Sequence, residues 1–85
     1  MIANPISTVV FTGTVTLVDA PNRVLKVRLP DGYVRDVTVA ANCRVALRGE
    51  AVRLRLLVAG DQVEISAVQH AGLCKASRIE VLASP

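Results

Sequence analysis

Cys43, His70 and Cys74 are the side chains of this 85-residue chain with thiol or imidazole chemistry to offer. His70 and Cys74 stand four residues apart and have the types of a base and a nucleophile. Nucleophilic catalysis also needs a lowered thiol pKa and a third group that orients the base. The sequence nominates no such group. Read as metal donors, Cys43, His70 and Cys74 are three soft ligands, one short of a closed four-coordinate zinc site. The cysteines have no Cys-x-x-Cys spacing and read as small buried hydrophobes. A disulfide between them requires Cα atoms within about 7 Å. Phosphate-cradling glycine motifs are absent. Asp19, Asp31 and Asp61 fall in turns, where a carboxylate bonds nearby backbone. The expectation is a protein that is not an enzyme, with no catalytic residue, no metal site and no cofactor.

The basic residues form the other constellation. Lys26 and Arg28 alternate outward on one apolar strand pattern, Arg23 stands at its start, and Arg35 lies on the next strand pattern. Tyr33, beside the intervening turn, is one of two aromatic residues in the chain. Cations along a groove neutralise phosphates, and an aromatic ring stacks on a base. Arg23, Lys26, Arg28, Tyr33 and Arg35 are therefore the candidate site for nucleic acid or another anion. The net charge of +3, from ten basic and seven acidic residues, permits such a partner without demanding it.

These residues are carried on short alternating runs of Val, Leu and Ile. Gly13 to Val18, Val24 to Leu29, Val34 to Val39, Val63 to Val68 and Ile79 to Leu82 read as strands. Hydrophobic residues make up 52% of the chain and aromatics 2%, so the core must be aliphatic. The first strand places Phe11, Gly13, Val15 and Leu17 inward, with Gly13 marking a bend or bulge. Leu29-Pro30-Asp31-Gly32 closes a hairpin onto the third strand. Arg35 then shares a mostly apolar face with Val37 and Val39, as at a barrel mouth. Residues 51 to 59 fit either a strand or one short helical turn. Val63, Ile65 and Ala67 face inward on a later strand, and the last strand loses its phase near Ser77. The reading is one all-β domain, a five- or six-stranded barrel over residues 8–82. A loose tail covers residues 1–7 and a short one residues 83–85.

The segments Gly13-Thr14-Val15, Val18-Asp19, Leu25, Val27, Val37, Val39 and Cys43-Arg44-Val45 make up the first part of a familiar pattern. Gly49, Leu57, Gly60-Asp61-Gln62-Val63-Glu64-Ile65 and Ala76-Ser77-Arg78-Ile79-Glu80-Val81 complete it. Over residues 12–82 the chain resembles small bacterial OB-like β-barrel domains of unknown function. The resemblance implies an OB-like fold, a class that binds oligonucleotides or oligosaccharides across its second and third strands.

The expected function is a non-catalytic binding module, with weak electrostatic binding of single-stranded nucleic acid or an anion through the second and third strands. The alternative is a structural barrel that forms a homo-oligomer or docks a protein partner, suggested by outward Val10, Val18, Val24, Val34 and Val68. No membrane partner is expected, since no run approaches about 20 apolar residues. Met1 to Pro5 lacks a basic segment followed by an apolar one, so the expected compartment is the cytoplasm.

Overall fold

The computed structural model describes residues 7–84. The chain runs through β1 (Ser7–Asp19), β2 (Val24–Arg28), β3 (Val34–Leu47), β4 (Glu50–Ala51), a 3-10 turn (Leu54–Leu56), β5 (Gln62–His70) and β6 (Leu73–Ala83). The strand order is β2-β1-β5-β6-β3-β4, and a further β2–β3 pairing closes the ring. The pairings are antiparallel except β3 with β6, which run parallel. This is the small all-β barrel that the alternating pattern predicts. The segment 51–59 resolves into the short helical turn, with Leu54 and Leu57 buried. The expected loose tail, apart from Ser7, lies outside the described residues.

Alternation places the core. Leu25, Val27, Val37, Val63, Ile65 and Ile79 have no exposed surface, and Val15 has almost none. Phe11 is only partly buried and packs against this aliphatic cluster. The β2–β3 hairpin closes as its turn residues demand. The Gly32 N–H donates to the Leu29 carbonyl at 2.9 Å, and Gly32 adopts φ 93°, a conformation that favours glycine.

Two bulges break the alternation. Along β1 the pairing with β2 steps from Val15↔Val27 to Leu17↔Lys26, leaving Thr16 unpaired. One extra residue inverts every side chain after it. Leu17, expected inside, is therefore 45% exposed, while Val18, expected outside, packs against the core. Along β6 the pairing with β5 steps from Ala76↔Ala67 to Arg78↔Ser66, so Ser77 is extra. Cys74 and Ala76 face inward before it, Ile79 and Val81 after it.

Asp61 closes one end of the barrel. It is buried, and its Oδ2 accepts the Val58 N–H at 3.0 Å. Its carbonyl accepts the Val15 N–H at 2.8 Å, and the Gly60 N–H donates to the Val15 carbonyl at 2.8 Å. The turn after the 3-10 segment is thus tied to the residue at which β1 bulges. Asp61 Oδ1 has no hydrogen-bond partner. Among the described residues no helix is long and apolar enough to cross a membrane.

Candidate functional site

The structure does not gather the five predicted contact residues onto one surface. Facing residues of an antiparallel pair share a side of the sheet. Lys26 faces Asp36 and forms an exposed ion pair with it at 3.3 Å. Arg35 faces the fully buried Val27, so it stands on the opposite side of the sheet from Lys26 and Arg28. Its guanidinium lies 5.4 Å above the Phe11 ring, a cation–π contact rather than a free cationic head. Arg28 is exposed on β2, and Tyr33 is 75% exposed beside the hairpin turn. Arg23 is committed to the fold: its Nε donates to the Val39 carbonyl at 3.2 Å and its Nη2 to the Ala40 carbonyl at 2.7 Å.

The sulfur and imidazole donors are also dispersed. His70 faces Leu73 across the β5–β6 hairpin, while Gln69 faces Cys74. Adjacent pairs along a ladder point to opposite sides, so the exposed His70 and the buried Cys74 cannot act as a couple. The cysteines are both free. The β3–β6 register puts Cys74 level with Val37 and Cys43 level with Ser77. Three residues of strand, roughly 10 Å, separate those levels, so the two thiols share neither a disulfide nor an ion. Among the described residues no three of His, Cys, Asp and Glu stand close enough to hold a metal ion.

Cys43 nevertheless has a setting of its own. Along β3 the pairing with β6 steps from Val39↔Ala76 to Arg44↔Arg78, so residues 40–43 stand opposite Ser77 alone. This wide bulge swings Cys43 to the barrel mouth. There it lines a cavity of about 330 Å³ with Ala20, Arg23, Val45, Val52 and the segment Arg53 to Arg55. Val52 is held in place by donating its N–H to the Val45 carbonyl at 2.9 Å. Three guanidiniums and no carboxylate border the cavity. Two smaller cavities lie elsewhere, about 150 Å³ beside Gly13 and Gln62 and about 260 Å³ around His70. Neither contains a sulfur. Cys43 is half-buried and packs against the core, as its reading as a small buried hydrophobe expects, but no alternation signals the four-residue bulge that also makes it a wall of the cavity.

Burial pushes the Cys43 thiol up from its ordinary value of 9.0, and the Arg23 charge offsets part of that rise. The protonated thiol is therefore favoured by folding. Its contribution to stability is complete below pH 9.0 and is lost as pH rises through the raised value. Urea midpoints measured at about pH 8 and about pH 10.5 should fall more in the wild type than in Cys43→Ser. Equal losses in the two proteins would rule this contribution out.

Fold and site together define a small closed β-barrel with a thiol at its mouth. No family model and no curated protein matches the chain. Solved structures do match it. Apo-CusF from Escherichia coli is 16% identical, covers 98% of this chain and 96% of its own, and superposes with a TM-score of 0.75. A tryptophan-to-alanine variant of Escherichia coli CusF with Cu(II) is 18% identical, with 98% and 100% covered and a TM-score of 0.71. Ag(I)-bound CusF is 16% identical, with 88% and 97% covered and a TM-score of 0.69. At this identity the likeness establishes the fold.

These matches correct several expectations. The barrel is OB-like, but its neighbours are CusF rather than domains of unknown function. Single-stranded nucleic acid or an anion on β2 and β3 is overturned as the function, since the solved structures that share this barrel include CusF with Ag(I) and with Cu(II). Homo-oligomer formation and protein docking find no support in them either. The cytoplasmic expectation is withdrawn, since the solved structures that share this barrel are those of CusF.

Proposed function

We propose that this chain is a non-catalytic barrel that takes a soft metal ion of the Cu(I) or Ag(I) class, with Cys43 as the donor it presents. The observation that carries the reading is that Cys43 lines the mouth cavity of a barrel whose structural neighbours include Ag(I)-bound CusF. Thiolate is a preferred ligand of Cu(I), and Cys74 is buried in the core. One sulfur leaves the ion's remaining coordination open to a small thiol or a second protein, which suits transfer better than storage. Because burial keeps the thiol protonated, binding releases a proton and weakens as pH falls.

Titration of the reduced full-length chain with Ag(I), followed by native mass spectrometry and thiolate-to-metal absorption, tests this. One ion per chain is expected. Cys43→Ser should weaken binding by at least about a hundredfold, and Cys74→Ser should leave it intact. An absent complex in the wild type, or equal affinity in Cys43→Ser, would overturn the assignment.

A further inference from the structure

We propose that Arg23 is the positioning residue of the barrel mouth, a latch that holds the β3 bulge in the shape that presents Cys43 to the cavity. The proposal deepens the metal-carrier reading and rests on it for its purpose. Arg23 is one of three non-glycine residues with positive φ among the described residues, at 54°. A side chain rarely occupies that conformation without compensation for its strain. The compensation here is visible. Bonds run from Arg23 to both ends of the Val39–Ala40 step. The Arg23 carbonyl accepts the Val39 N–H at 2.8 Å, Nε donates to the Val39 carbonyl at 3.2 Å, and Nη2 donates to the Ala40 carbonyl at 2.7 Å.

Val39 is the last residue of β3 in register with β6 before the bulge, and Ala40 is the first residue of the bulge itself. Bulged carbonyls lack ladder partners and need another donor. The planar guanidinium provides two at a fixed spacing, a geometry that lysine cannot copy with its single ammonium. Arg23 also lines the same cavity as Cys43, so the residue that fixes the backbone stands beside the thiol it positions. The other positive-φ residues with side chains, Arg48 and Ala71, lie in exposed turns and have no such hydrogen bonds to β3. Their strain has no comparable target.

The test uses the metal-free full-length protein in a Cys74→Ser background, so that Cys43 is the only thiol. Arg23→Lys keeps the positive charge and loses the two-point grip. Freeing the bulge should raise the rate at which a neutral alkylating reagent labels Cys43 by about fivefold or more. Arg23→Gly relieves the left-handed backbone while removing the latch. It should melt within a few degrees of the parent, yet show faster hydrogen exchange at residues 40–43. A merely structural arginine would give the reverse, with stability lost in both variants and no change specific to the bulge. Labelling and bulge exchange unchanged in both variants would overturn the proposal. The Ag(I) titration separates the two claims. A wild type that binds no Ag(I), combined with faster labelling in Arg23→Lys, would remove the metal reading and keep the latch. Normal Ag(I) binding with unchanged labelling would do the opposite.

Discussion

Replacing Gly13 with alanine is expected to cost the barrel about 2–3 kcal/mol, and replacing it with valine to leave the chain largely unfolded. Gly13 lies where β1 passes from pairing with β5 alone to pairing with β2 as well: Gly13 faces Val63, and the next residue, Thr14, faces both Gln62 and Arg28. A Cβ built on Gly13 would collide with Val27 Cγ1 and stand 2.7 Å from the Arg28 carbonyl oxygen. The first obstacle is a fully buried side chain and the second is backbone, so neither can step aside cheaply. Backbone freedom is not the reason for this glycine, since its φ is not among the positive values. The reason is the close approach of a neighbouring strand. Urea denaturation reads the effect as a lower midpoint at unchanged slope. A midpoint for Gly13→Ala equal to that of the wild type would show that β2 moves away at no cost.

Ile65→Ala is expected to cost about 2–5 kcal/mol. Ile65 has no exposed surface and sits in the middle of β5, facing Phe11 on one side and Ile79 on the other. A chain of this length has roughly 4–13 kcal/mol of stability in total, so one such cavity removes a large share. The core has little to fill the gap with, because its members are mainly valine, leucine, isoleucine and alanine. Small rigid side chains collapse poorly into a void, which places this site toward the costly end of the range. A loss below about 1 kcal/mol in urea denaturation would mean that β5 does not carry the core as described.

The same contrast between strand pattern and strand contact explains what was legible beforehand. Leu25 and Val27, or Val63, Ile65 and Ala67, could be placed from alternation alone, because a strand buried on one side reads with period two. Leu17 could not. The bulge at Thr16 is set by how β1 curls between two partners, and no residue type nearby announces it. Arg35 was correctly seen as a charge on an apolar face, but its pairing with Phe11 joins residues 24 positions apart on β3 and β1. Arg23 looked like the start of a basic surface. Its actual work, bonding the carbonyls of Val39 and Ala40, depends on a bulge 16 residues downstream.

The candidate site was the least legible part for the same reason. Cys43 and Cys74 are the same residue type in similar local patterns, and nothing nearby in the chain distinguishes them. Their fates differ because β6 runs past β3 in parallel with four residues of β3 opposite Ser77, which lifts one thiol to the mouth and leaves the other in the core. Residue chemistry and period-two alternation were enough for an aliphatic, all-β barrel with a proline-glycine hairpin, since those are short-range properties of the backbone. The bulges, the Arg23 latch and the half-buried thiol at the cavity arise from pairings between distant strands. Their energies exist only once the barrel is closed, so only the closed barrel could decide them.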